Sequence, residues 1–424
     1  MPLDGAPRRW LGPVLTLAAA LTAPTAPAAA RIGIERVQVF NYLHRSPSGE
    51  RGYLFAKITA TNGAVGWGEG RTLGQTEADA LARRILALGS AIERAPVEEI
   101  DRLLDLLWYG SGYTLDGLQA AAVSALDGAL HDLNGKLQGR PVYELLGGAV
   151  RDRIPVYHAN VEGNPAEVHS VERLVELARG AVAQGFGAIK WDPFILAYVV
   201  GNELTPAERS EAVARTRLPP EDVPLDQIAE QFRRVREAVG PEVQLVVEAH
   251  GRLSPEAALA VGERLAPIGI AFFDSPVNHF DVEGTARVSR RLRFPVAQGD
   301  VLFRVEGFRG LIMTGASGIL RPEVAHCGGI REALRIAALA AEHGLQIAPF
   351  RTGGPVSAAM ALHVAAVIPN LLMLDYLPER DRALEAELLY QPIFDFAEGT
   401  LGLIPGPGLG VQLRQDALTE IGGE

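Results

Sequence analysis

A parallel α/β barrel of the TIM type, preceded by a smaller α+β domain, is the architecture that three features of this 424-residue chain predict. From Arg153 onward, short apolar runs alternate with amphipathic helical stretches eight times. Between Arg31 and about Gly148 the order differs, with alternating strands first and helices after. Three carboxylates, Glu248, Asp274 and Asp300, recur every 26 residues, one strand-helix unit each time. An open doubly wound sheet is the rival, but no glycine-rich phosphate fingerprint follows any strand.

Taken in order, residues 1–30 form a leader-like segment. Arg8 and Arg9 precede an apolar stretch broken by Gly12 and Pro13, and small residues end it in "APAAA". That is the layout of a secretory signal, so export to the periplasm is expected ahead of a cytoplasmic location; an upstream-extended start is the alternative. The run is too short to span a bilayer with Pro13 inside it, so no stable membrane anchor is expected in the mature chain. Residues 31–150 read as the α+β domain: "RIGIERVQVF" and "YLFAKITATNGAVGWGEG" as antiparallel strands turned at "TNG", then three helices ending in "LQAAAVSALDGALHDLNGKLQG". Residues 151–380 carry the barrel strands "IPVYHAN", "AIKWDPF", "VQLVVEAH", "IAFFDSP", "FPVAQGD", "GILRPE", "LQIAPF" and "LLMLDY". The long insertion from Ile195 to Pro224 is expected to fold over the barrel mouth. Residues 381–424, rich in glycine and proline, are expected to pack back on the first domain.

Composition narrows the function. With 48% hydrophobic and 21% charged residues the chain can bury a large core. A net charge of -11 with no block of Lys or Arg makes nucleic acid a poor partner, leaving a small molecule. The lone cysteine, Cys327, excludes a disulfide framework and a multi-cysteine metal site.

Barrel chemistry gathers where strands end, because several chains converge on one mouth there. Strand two ends in Lys190, Trp191 and Asp192, strand three in Glu248 with His250 and Arg252 just beyond. Strands four and five end in Asp274 and Asp300, six in Glu323 with His326 following, seven in Phe350 and Arg351, eight in Asp375. Converging carboxylates repel, and without a cation one of them takes a proton instead. Oxygen-only ligation with open positions suits one Mg²⁺ ion at Glu248, Asp274 and Asp300; separate ion pairs at the rim are the bland alternative. Lys190 and His250 are the acid-base candidates beside such an ion, with His326 and Glu323 behind them. Three of them have a plainer reading, Lys190 as a salt-bridge partner of Asp192 or Glu248 and the two histidines as packed residues. Asp192, Arg252, Arg351 and Asp375 are placed to bind substrate, and His44 could reach in from a loop of the first domain.

Together these residues resemble the enolase superfamily, in its mandelate racemase and muconate lactonizing enzyme branch, near the sugar-acid dehydratases. The likeness runs from Arg31 to about Leu413 and is carried by "GAVGWGEG", "AAAVSALDGALHDLNGKLQGRPVYELLGG", "VRDRIPVYHAN", "AIKWDPF", "VVEAHGR", "HCGGI" and "PGPGLGV". It implies a modified (β/α)7β barrel under an N-terminal α+β capping domain, with Mg²⁺ at Glu248, Asp274 and Asp300. It further implies a hydro-lyase acting on an aldonate- or aldarate-like acid through α-proton abstraction and a metal-stabilised enediolate. His250 would be the acid that helps a β-hydroxyl leave, and Lys190 a base or electrostatic stabiliser. A homo-oligomer binding a small carboxylate is expected.

The chain also departs from the family pattern. Ligands that are usually Asp, Glu, Glu are here Glu248, Asp274, Asp300. Glu323 replaces an Asp, Asp375 replaces a Glu, and Phe350 stands where a histidine base is usual. A racemase or epimerase of a 2-hydroxy acid and a catalytically impaired member therefore stay open beside the dehydratase.

Overall fold

The computed structural model describes residues 31–46, 49–72, 75–110, 115–163, 168, 170–194 and 223–422. The leader-like segment 1–30 and nearly all of the insertion expected over the mouth lie outside the described residues.

The first domain begins with a meander, β1 (Ile34–Ser46), β2 (Gly49–Ala60) and β3 (Val65–Gly70), paired antiparallel. Its β2–β3 turn closes on Ala60 N–H donating to Ala64 O at 2.8 Å, with Gly63 at φ 82° as the "TNG" signal requires. Helices α1 (Gln75–Ile92), α2 (Ile100–Tyr109) and α3 (Gly117–Gln138) follow. Asp116 caps α3 by accepting from Gln119 N, and Gly139 ends it in the left-handed conformation. Every residue of α3 from Gln119 to Gly135 is buried, because one side faces the meander and the other the barrel.

The barrel runs β4 (Arg153–His158), β5 (Ala188–Trp191), β6 (Gln244–Glu248), β7 (Ile270–Asp274), β8 (Val296–Gln298), β9 (Ile319–Leu320), β10 (Gln346–Ile347) and β11 (Leu374–Tyr376). Neighbours from β4 to β10 pair in parallel, β11 pairs parallel to β4, and a parallel bridge from Ile347 to Leu371 joins the β10 and β11 segments. Alternation decides the two faces: Tyr157, Val246, Phe272, Ala297, Ile319 and Ala348 form an inner cluster, while Leu245, Val247 and Phe273 join the larger core. Outside lie α5 (Val171–Ala183), α6 (Leu225–Val239), α7 (Pro255–Leu265), α8 (Val282–Arg291), α9 (Arg304–Met313), α10 (Gly329–Glu342), α11 (Pro355–Val367) and α12 (Pro378–Leu388); α4 (Val142–Leu145) precedes β4. The chain's last part serves both sheets. Strands β12 (Phe396–Ala397) and β13 (Thr400–Gly402) extend the barrel sheet beside β4, and β14 (Thr419–Ile421) adds to β1.

Helix α3 is what fixes the cap on the barrel. Ser124 Oγ accepts from Gly328 N at 3.0 Å and Asp127 Oδ2 from Ile330 N at 2.5 Å. A Cβ on Gly329, which sits at φ 90°, would lie 2.4 Å from Asp127 Cγ, so "HCGGI" is a docking motif. On the other side a Cβ at Gly68 of β3 would fall 1.9 Å from Ala125 O.

Gly68→Ala should therefore destabilise the protein by ~3 kcal/mol through overpacking. Gly180→Ala, on the exposed face of α5 with nothing within 4 Å, should stabilise it by ~0.5–1 kcal/mol. Denaturant midpoints measured for both variants would expose an error in either sign.

Candidate active site at the barrel mouth

The ends of β6, β7 and β8 bring Glu248, Asp274 and Asp300 together. One carboxylate oxygen from each lies within 4.8 Å of the others, and all three residues are buried. The register makes this so, since Glu248 pairs with Asp274 across β6 and β7. Backbone strain accompanies them. His250 (φ 50°) and Ser275 (φ 47°) occupy the left-handed region just past Glu248 and Asp274, at about 1 kcal/mol or more each.

Two cations enter this cluster. Lys190 Nζ donates to Glu248 Oε2 at 2.6 Å and Asp274 Oδ2 at 2.7 Å. Arg321, fully buried, reaches Asp274 Oδ1 at 2.8 Å, Asp300 Oδ1 at 3.2 Å and Asp375 Oδ2 at 3.1 Å through its guanidinium. It also donates to Tyr157 Oη at 2.7 Å and to the Ala348 carbonyl at 3.3 Å. Phe350 walls both cations, its ring centroid 5.8 Å from Lys190 Nζ and 5.1 Å from Arg321 Cζ. Four carboxylates thus face two fixed positive charges, leaving two negative charges uncompensated when all are ionised.

The titration behaviour follows from that imbalance. Burial, reinforced by Glu248 and Asp300, drives the Asp274 carboxyl well above its ordinary range despite Arg321 and Lys190. Burial opposes charge on Lys190, yet Asp274 and Glu248 hold its ammonium well above the usual lysine range. Three buried oxygens in a net-negative cluster match a small hard cation, so Glu248, Asp274 and Asp300 can hold a metal ion.

Beside the cluster opens a cavity of about 240 Å³, lined among others by Lys190, Asp192, Glu248, His250, Phe350, Arg351 and Asp375. His250 is half exposed there, with Nε2 3.6 Å from Asp192 Oδ2 and Nδ1 3.5 Å from Glu248 Oε1. A second cavity, about 280 Å³ between α5 and α6, is lined by Glu172, Glu176, Arg179, Arg234 and Glu237, with no barrel strand end among them.

Several expected site residues stand elsewhere. His326 does not line the cavity; it turns back to Val301 O at 3.2 Å and packs 3.2 Å from where a Cβ on Gly117 would sit. Burial lowers its pKa to about 4, leaving a neutral ring at the cap boundary. Glu323 is buried behind the wall, accepting from Thr352 Oγ1 at 2.5 Å and facing Arg71 Nε at 3.1 Å. His44 bonds Glu387 of α12 through Nδ1 at 2.8 Å instead of reaching the cavity. Arg252 lies against Asp192 and the Phe194 ring, orienting Asp192 from outside the lining.

Arg321 and Glu162 are residues of this site that the order of the sequence does not reveal. An arginine inside the apolar run "GILRPE" was the available signal, since such a charge is buried only with partners. Glu162, in the loop after β4, lines the cavity; its Oε1 accepts from Asp192 N at 2.9 Å and its Oε2 has no hydrogen-bond partner among the described residues. Burial pushes its pKa from 4.5 up to about 8.

Residues 173–417 match the family described as "Enolase C-terminal domain-like", and residues 42–147 the "Mandelate racemase / muconate lactonizing enzyme, N-terminal domain". A D-gluconate dehydratase of Thermoproteus tenax is 30% identical over 319 residues, which span 73% of this chain but only 58% of that enzyme. A D-galactonate dehydratase of Xanthomonas oryzae pv. oryzae is 29% identical over 370 residues, covering 86% of this chain and 90% of the enzyme. Among solved structures, a member of the enolase superfamily from Salmonella Typhimurium superimposes with a TM-score of 0.81 at 23% identity, covering 92% of this chain and 99% of its own. The 3,6-anhydro-D-galactonate cycloisomerase of Zobellia galactanivorans gives 0.76 at 23%, covering 91% and 98%. At those identities the two structures establish the fold and not the reaction.

Glu162 makes a pH prediction. A carboxyl whose folded pKa is raised stabilises the fold fully below its unfolded value near 4.5 and loses that contribution as pH rises through about 8. Glu162→Gln should thus flatten the fall in melting temperature between pH 6 and pH 9, removing up to several kcal/mol of pH dependence. An unchanged slope would show that Glu162 is not held neutral by burial.

Proposed function

Because the chain belongs to the enolase superfamily, in its mandelate racemase and muconate lactonizing enzyme branch, we propose that it is a hydro-lyase, a Mg²⁺-dependent sugar-acid dehydratase. The observation that carries this reading is the buried carboxylate trio with His250 beside it on one cavity, in a chain whose relatives include D-gluconate and D-galactonate dehydratases. Glu248, Asp274 and Asp300 would hold the ion, which when bound lowers the cost of negative charge on the substrate carboxylate.

The residues divide the remaining work. Lys190 Nζ, kept protonated by Glu248 and Asp274, presents a second positive charge to the reacting carboxylate. His250 is the group that moves protons: its ring takes the α-proton and delivers one to the β-hydroxyl, which leaves as water, and Asp192 orients it. The enol so formed becomes the 2-keto-3-deoxy acid. Phe350 closes the strand-seven side without offering a proton, which supports elimination over two-base racemisation, since the latter needs an acid or base on each face of the carbon.

Aldonic and aldaric acids incubated with the protein and Mg²⁺ should yield a keto acid detectable with a carbonyl reagent. His250→Asn should lower that rate by ~10²–10⁴-fold. Exchange of the α-proton in deuterated water without keto acid would instead identify a racemase. If neither product nor exchange arises from any member of the series, the dehydratase reading fails.

A further inference from the structure

The cavity lining carries both signs of charge. Glu248 and Asp375 face it from the ends of β6 and β11, whereas Arg51 from the start of β2 and Arg380 from the first turn of α12 contribute guanidinium groups.

The basic side is not neutralised. Arg51 makes no hydrogen bond or ion pair among the described residues, and its guanidinium lies 5.7 Å from the Tyr53 ring centroid. Arg380 donates to the Thr352 carbonyl at 3.2 Å and to Asp381 Oδ1 at 3.1 Å. Asp381 is already bidentate with Arg351, at 3.0 and 3.2 Å. One carboxylate therefore serves two guanidinium groups while the third has none. Glu323 and Glu69 are the next acids, but Glu323 faces Arg71 Nε at 3.1 Å, and Glu69, whose pKa burial raises to about 7, spends both oxygens on the Gly354 and Ser357 amides. Burial and the charge of Arg380 both disfavour the Arg51 cation, so an anion in the cavity that both line would favour its charged form.

Resting on the sugar-acid reading above, we propose that Arg51 and Arg380 form a subsite for a second anionic group on the substrate, remote from the carboxylate that reacts. The substrate class is then a dianionic sugar acid, an aldarate or a terminally phosphorylated aldonate. A plain aldonate would present a neutral hydroxymethyl group to Arg51, which has no carboxylate partner among the described residues, and to Arg380, which shares Asp381 with Arg351. Arg is suited to this task because its planar fork binds carboxylate and phosphate oxygens in pairs.

Calorimetric titration tests this without requiring turnover. With Mg²⁺ present, the full-length protein is titrated with D-glucarate and galactarate, with D-gluconate and D-galactonate, and with 6-phosphogluconate. At least one dianion should bind ~10-fold or more tighter than its monoanionic counterpart. Arg51→Met should reduce that preference to less than ~2-fold, while Arg45→Met, which removes an exposed charge of the same hairpin, should keep it. Tighter binding of 6-phosphogluconate than of either aldarate assigns the subsite to phosphate, and the reverse order assigns it to carboxylate. Equal affinity for mono- and dianions, a preference that survives Arg51→Met, or no binding of any dianion overturns the proposal. If Arg51→Met does not fold, the wild-type ratio decides. Dianion-selective binding without keto acid upholds the subsite and removes the dehydratase reading. Keto acid formed from aldonates with no dianion preference does the opposite.

Discussion

Two buried cations held among four buried carboxylates organise the barrel mouth. Lys190 and Arg321 each bridge acids from different strands, Glu248 with Asp274 and Asp274 with Asp300 and Asp375. Breaking such a network by removing one member leaves an uncompensated buried charge at a cost of about 3–5 kcal/mol, so the strand ends are tied to one another as well as to the ladder. Because both oxygens of Asp274 already accept from cations, its position is the most constrained of the set. The remaining negative excess is what would favour a further cation at the cluster.

Phe350 takes on a different meaning in this setting. As a residue replacing a histidine base it reads as a loss. Its ring lies against both Lys190 and Arg321, however, where an aromatic face is favourable to positive charge and an imidazolium would repel it. A site with an extra guanidinium at strand six has reason to carry a neutral ring at strand seven. On the proposed reading, proton transfer falls to the side where His250 is exposed to the cavity and flanked by Asp192 and Glu248.

Much of this was legible in the sequence, and the limits have physical causes. The barrel and the carboxylate trio could be read because strand period, helix period and the 26-residue repeat are local signals. The strained conformation of His250 also has a local trace in the following Gly251, itself at φ 71°. His326 and Glu323 could not be placed from order alone. Residues past a strand end can turn toward the mouth or toward the cap, and here they turn to Val301, Arg71 and Thr352. Arg321 was hidden because its four side-chain partners come from β4, β7, β11 and the segment just past β8, a constellation that only closure of the sheet creates. The Arg51 and Arg380 pair needs the cap seated on the barrel, which α3 achieves through Ser124 and Asp127.

The claim on which the functional account turns is that the acidic cluster remains under-neutralised and takes a divalent cation. Titration of Mg²⁺ into the metal-free protein, up to ~10 mM, measures this directly. One binding event per chain that is lost in Asp274→Asn is the predicted result. Absence of binding to the wild-type protein, or binding that Asp274→Asn leaves intact, would contradict it and mark Lys190 and Arg321 as the cluster's full complement of positive charge.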